Sequence, residues 1–109
     1  IFETKEAVEN LESIAAVPGV DVLYFGPADL SLSLGLNPLH LPLPETEAIL
    51  ERALAVGRKS GVAIGVGCHT PEKLRELQAK GFTCVSYGGD FRLLADAAHE
   101  GLAAFDRQV

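Results

Sequence analysis

The sequence has no methionine and no tryptophan, only two cysteines, and no long apolar run. A membrane-spanning helix needs about 20 consecutive apolar residues, so none is expected. Cations are scarce as well: nine Lys and Arg stand against fifteen Asp and Glu, giving a net charge of −6 at pH 7. Nucleic-acid binding needs clustered cations to displace counterions, and here they are few and scattered, so a nucleic-acid partner is not expected. No basic segment, apolar core and cleavage site open the chain, so a cytoplasmic protein with no membrane partner is expected. Cys68 and Cys84 both lie in apolar or strand-like contexts and read as buried free thiols rather than a disulfide. Cys68-His69 has no second Cys-His pair at zinc spacing, which argues against zinc.

What is present fits one folded domain of 109 residues, with 48% hydrophobic and 22% charged residues. Strand-like and helix-like stretches alternate. Residues 1 to 3 read as the end of a strand. Residues 4 to 16 place Val8, Leu11, Ile14 and Ala15 on one helical stripe, with Thr4 as N-cap and V-P-G at 17 to 19 as the stop. A strand follows at 20 to 25. A helix at 45 to 60 carries Ile49, Leu50, Ala53, Leu54 and Val56 on its apolar face and ends at Gly61. V-A-I-G-V at 62 to 66 reads as a strand, and Thr70-Pro71-Glu72 opens a helix that Gly81 closes. Residues 82 to 87 form a further strand. A last helix, 90 to about 107, is expected to pack Leu93, Leu94, Ala97, Ala98 and Leu102 inward.

This β-α-β-α-β-α-β-α order calls for a parallel sheet covered by helices. Glycine is expected just past three strands, at Gly26, Gly67 and Gly88. Parallel sheets place their binding groups at the C-terminal ends of their strands, where Glu3, Asp29 and Asp90 stand. Ile1 falls inside a strand, so the chain reads as a piece of something longer. Four βα units are half of a (β/α)8 barrel, whose usual size is roughly 250 residues. The expected fold is therefore α/β, with residues 1–109 as the second half of one barrel domain.

Glu3 and Asp29 are 26 positions apart, one complete α-β unit. Adjacent parallel strands lie about 4.8 Å apart, so two carboxylates at their ends can share one cation. Oxygen donors without neighbouring Cys or His favour Mg²⁺ or Mn²⁺ over zinc. Spacing alone also allows Glu3 to be an acid near a helix N-terminus and Asp29 to cap the 30 to 34 turn.

The stretch from Ile1 to Gly35 carries E-T-x-E-A-V-x-N, V-x-G-V-D and G-P-A-D-L-S-x-x-L-G, and in these it resembles the HpcH/HpaI aldolase family. A looser match runs through G-F-x-x-V-S-Y-G-G-D-x-x-L-L-A, where the family usually has Val or Ile before G-S-D or G-V-D. The resemblance implies a (β/α)8 barrel, with this chain covering strand five to helix eight. It implies that Glu3 and Asp29 hold a divalent metal, Mg²⁺ or Mn²⁺ with Co²⁺ also possible, and that the amides of Ala28 and Asp29 receive the carboxylate of a 2-oxo acid. The implied activity is reversible aldol cleavage of a 4-hydroxy-2-oxo acid to pyruvate and an aldehyde, with the metal as Lewis acid. A His and an Arg that complete the family's machinery are expected in the other half, so no catalytic acid or base is assigned here.

A homo-oligomer is also implied, since the family's last helix can exchange between subunits. An acyl-CoA lyase like the citrate lyase β subunit, and a half-barrel surviving as a binding module, are the alternatives. Ser31 is expected to support its turn, Asp90 to cap the last helix, His69 to contact substrate, and His40 and His99 to lie on the surface. The apolar 36 to 44 loop is expected at an interface.

Overall fold

The computed structural model describes residues 1–105. Three parallel strands, β1 (Val22–Phe25), β2 (Ala63–Cys68) and β3 (Cys84–Tyr87), form a sheet in chain order. The register pairs Tyr24 with Gly65, Phe25 with Val66, and Gly67 with Ser86. Residues 1 to 3 do not make a full strand. They add a single parallel bridge, Phe2 to Phe25, in which the Phe2 amide donates to Tyr24 O (2.7 Å) and the Gly26 amide to Phe2 O (3.1 Å).

The expected first helix is divided at Asn10 into α1 (Lys5–Glu9) and α2 (Leu11–Ala15). Asn10 directs both its backbone amide and its side-chain amide at Glu6 O, so the side chain competes for the carbonyl that the helix ladder uses. Thr4 caps α1 as expected, accepting from the Ala7 amide at 3.1 Å. Then come α3 (Pro27–Ser33), a short 3₁₀ turn at Pro38–His40, α4 (Pro44–Ser60), α5 (Pro71–Lys80) and α6 (Asp90–Ala103). Gly61 and Gly81 close α4 and α5 in the left-handed region, with φ of 76° and 105°.

The core lies on one side of the sheet. Leu23, Phe25, Ile64, Val66 and Cys68 are buried with Leu11, Leu50, Ala53, Leu54 and Leu77 of the helices. Alternation sends Val22, Tyr24, Gly67 and Ser86 to the other face, which is half-buried or exposed. The strands are thus covered on one face only, not on both. β2 continues to Cys68, so Gly67 belongs to the strand instead of following it. Both cysteines are free: Cys68 is buried and Cys84 half-buried.

The inward packing expected of α6 is not found. None of its residues is buried, and Leu93, Leu94 and Leu102 are 50%, 74% and 65% exposed. The helix follows the last strand of the sheet, and the described residues offer its apolar stripe no surface to cover. Residues 106 and 107, the end of that expected helix, lie outside the described residues.

Candidate metal and substrate site

The site is assembled where the chain leaves the Phe2 bridge and β1. Phe2 shares the core face with Phe25, so the next residue, Glu3, turns to the opposite face beside Gly26. Its half-buried side chain rests against Gly26: a Cβ built there would lie 2.8 Å from Glu3 Oε1 and 2.9 Å from its Cγ. Glycine is therefore needed at 26 for room. This is a cradle for the carboxylate.

α3 starts at once, with Gly26 as N-cap and Pro27 in the first turn. The first amide to bond back into this helix is that of Leu30, to Gly26 O at 2.9 Å. The amides of Ala28 and Asp29 precede it, in the part of a helix that leaves donors for other partners. Asp29 is exposed in the same turn. Ser31, completely buried, donates to Pro27 O at 2.7 Å and supports the turn as expected. The Lys5 amide donates to Ser33 Oγ at 2.9 Å, so the segment after Glu3 is tied to the helix that carries Asp29. Three hydrogen bonds, two from the bridge and one from Lys5, thus hold the segments bearing the two acids together.

The donors that this arrangement offers are hard oxygens, the kind that suit a hard divalent cation over a soft one. Among the described residues no group of three or more His, Cys, Asp and Glu could hold a metal, so a cation held by these two acids would need water or substrate oxygens for its remaining positions.

Beside this corner a cavity of about 470 Å³ opens between α3, α4, α5 and the end of β2. Pro27, Ala28, Leu50, Cys68, His69 and Leu77 are among its lining residues. His69 thus stands at the rim, whereas His40 and His99 are exposed on the surface. Asp90 is not the cap of α6. Gly89 takes that position, and the Asp90 carboxylate accepts from the Phe91 amide (2.7 Å) one place further on.

Sequence reasoning missed a pair on the open face of the sheet. The Tyr24 ring lies across β2, and its hydroxyl bonds to Ser86 Oγ of β3. A Cβ at Gly65 would come within 2.7 Å of Tyr24 Cδ2, and one at Gly67 within 3.3 Å of the Tyr24 hydroxyl. Alternate glycines in β2 were the available signal.

A profile of the HpcH/HpaI aldolase/citrate lyase family matches residues 1–97. The chain belongs to the HpcH/HpaI family. It is 40% identical over 110 residues to the 4-hydroxy-2-oxo-heptane-1,7-dioate aldolase of Escherichia coli, covering 99% of this chain and 41% of that protein. It is 38% identical over 105 residues to the 2-dehydro-3,6-dideoxy-6-sulfogluconate aldolase of Pseudomonas putida, covering 94% and 40%. The crystal structure of the HpcH/HpaI aldolase from Desulfitobacterium hafniense superposes with a TM-score of 0.88 at 28% identity, over 99% of this chain and 42% of that one. The chain spans about two fifths of the length of these HpcH/HpaI relatives. Its α/β fold with a parallel sheet is a segment of the family's (β/α)8 barrel.

Proposed function

We propose that the protein carrying this chain is a divalent-metal-dependent aldolase that splits a 4-hydroxy-2-oxo acid into pyruvate and an aldehyde. The chain supplies the second half of the barrel domain, from strand five to helix eight. Glu3 and Asp29 hold the cation, and the amides of Ala28 and Asp29 receive the substrate carboxylate. A cation bound there supplies Lewis-acid polarisation of the 2-oxo group. The chain's own contribution is binding and orientation: Gly26 seats the Glu3 carboxylate, and Pro27 fixes the turn that presents Asp29.

The observation that carries this reading is the Glu3 carboxylate cradled on Gly26, next to the helix that bears Asp29. The names of the relatives support aldol chemistry over acyl-CoA cleavage, although the family description includes citrate lyases. A cytoplasmic location and a homo-oligomer belong to the same proposal; no helix among the described residues is long and apolar enough to cross a membrane.

The test is Mn²⁺ titration followed by the electron paramagnetic resonance signal of the free ion. Glu3→Gln and Asp29→Asn are each expected to weaken binding at least tenfold, and unchanged binding in either removes that residue from the site. The chain alone is expected to release pyruvate from a 4-hydroxy-2-oxo acid far more slowly than a complete aldolase, since general acid–base groups contribute about 10²–10⁴-fold. Turnover at the rate of a complete enzyme would locate those groups within residues 1–109. Carbon–carbon cleavage of the acyl group of a hydroxyacyl-CoA, with the thioester left intact, in place of the oxo acid would favour the lyase reading.

A further inference from the structure

The open face of the sheet holds a row of polar groups above two glycines. Carrying the Phe2–Phe25 bridge one residue on sets Glu3 beside Gly26, and carrying the β1–β2 register one residue on sets Gly26 beside Gly67. Gly67 is in turn paired with Ser86. Glu3, Gly26, Gly67 and Ser86 thus form one line across the C-terminal end of the sheet. The Glu3 carboxylate occupies the space over Gly26, while the Tyr24 hydroxyl occupies the space over Gly67. Both groups are on the same face, over neighbouring strands whose backbones lie about 4.8 Å apart. That backbone spacing is the span of two O–H···O bonds of about 2.8 Å meeting at a single oxygen.

We propose that Tyr24, held in place by Ser86, is a positioning residue for Glu3, acting through one bridging water or ligand oxygen. This rests on the reading of Glu3 as a metal ligand. An ionised carboxylate only accepts, so the bridging oxygen donates to Glu3, while either hydroxyl of the Tyr24–Ser86 pair can be the donor between them. Such a chain orients the carboxylate and limits its rotation. The glycines at 65 and 67 are what allow the Tyr24 ring to lie flat across β2 and reach Ser86. The pair joins β1 to β3 across the strand between them, so it also fixes the height of the hydroxyl along the sheet.

Mn²⁺ affinity and thermal melting, measured together on the chain, test the proposal. Tyr24→Phe keeps the ring and removes the hydroxyl, and is expected to weaken Mn²⁺ binding about tenfold, as loss of a partner behind a metal ligand does. Ser86→Ala should weaken it in the same direction, and Ser86→Thr, which keeps a hydroxyl, should restore it. Should Tyr24→Phe fail to fold, the two Ser86 variants decide alone. Lowered melting temperatures with unchanged Mn²⁺ affinity would mean that the pair only braces the sheet, and would overturn the proposal. Glu3→Gln separates the two levels. If it abolishes binding while Tyr24→Phe and Ser86→Ala bind like the parent, Tyr24 is dismissed and the metal reading stands. If it changes nothing, or the parent takes up no Mn²⁺, the metal reading falls and this inference with it.

Discussion

Gly26 has φ −101° and ψ 89°, a conformation open to any residue, so its need for a hydrogen side chain comes from Glu3 alone. In Gly26→Ala the new methyl would meet Glu3 Oε1 at 2.8 Å and Cγ at 2.9 Å. Those atoms belong to a flexible side chain, which can swing away at the cost of a rotamer, about 0.5–1.5 kcal/mol. The expected outcome is a folded protein whose Mn²⁺ affinity falls about tenfold, because the carboxylate has lost its seat. Calorimetric titration with circular dichroism as a fold control checks this; full affinity in a folded Gly26→Ala protein would show that the cradle does not matter. Glu3 and Asp29 could be proposed from the sequence because each stands in a short contiguous motif, E-T-x-E-A-V and G-P-A-D-L-S. Tyr24 and Ser86 could not, because they are 62 positions apart and meet only through the register of three strands.

Two helical glycines show how one substitution takes opposite signs in different elements. Alanine is favoured over glycine in a helix by about 1 kcal/mol. Gly101 in α6 has nothing within 4 Å of its missing Cβ, so Gly101→Ala is expected to raise stability by about 0.5–1 kcal/mol. Gly57 in α4 is buried against β2, and an added Cβ would lie 2.6 Å from Val62 O and 2.7 Å from Ile64 Cγ1. A backbone carbonyl cannot swing aside, so Gly57→Ala is expected to lose about 1–3 kcal/mol through overpacking. Urea denaturation of both variants checks the pair of signs.

The same helix α4 is tied to the outside of α2 by Arg52, which donates to both carboxylate oxygens of Glu12 and to Val8 O. Hydrogen bonding to Arg52 holds the Glu12 carboxyl below its ordinary 4.5. A lowered carboxyl stabilises the fold above its unfolded value and loses that contribution as pH falls through the folded one. The stability gap between the parent and Arg52→Gln should therefore narrow as pH drops below about 4.5, modestly for so exposed a pair. A constant gap down to full protonation would assign the effect to Val8 O instead. Capping and apolar periodicity made α4 and α5 legible from local chemistry. The division at Asn10 was not, because it depends on where one side-chain amide points.

At the scale of the whole molecule, the sheet has a packed face and an open one, and α6 leaves the core altogether. The inward packing expected of α6 is absent, because apolar periodicity alone cannot name the surface that a helix covers. Phe91, Leu94, Leu102 and Phe105 are 77%, 74%, 65% and 76% exposed, spaced so that they share one side of the helix and its end. A row of large exposed apolar side chains on one helix marks a contact surface. A second copy of the chain is the occupant expected here, since each copy then covers the other's stripe with the same residues. Sedimentation over a concentration series should show a mass that rises above the monomer, and Leu94→Lys should return it to the monomer without altering the circular dichroism spectrum. The strand edges offer a competing route, because β3 and the Phe2 segment each have a side not paired within the described sheet. Association through those edges would survive Leu94→Lys and would slow amide exchange at Cys84 to Tyr87 as concentration increases. Slowed exchange in β3 with no effect of Leu94→Lys would thus move the contact from the helix to the sheet.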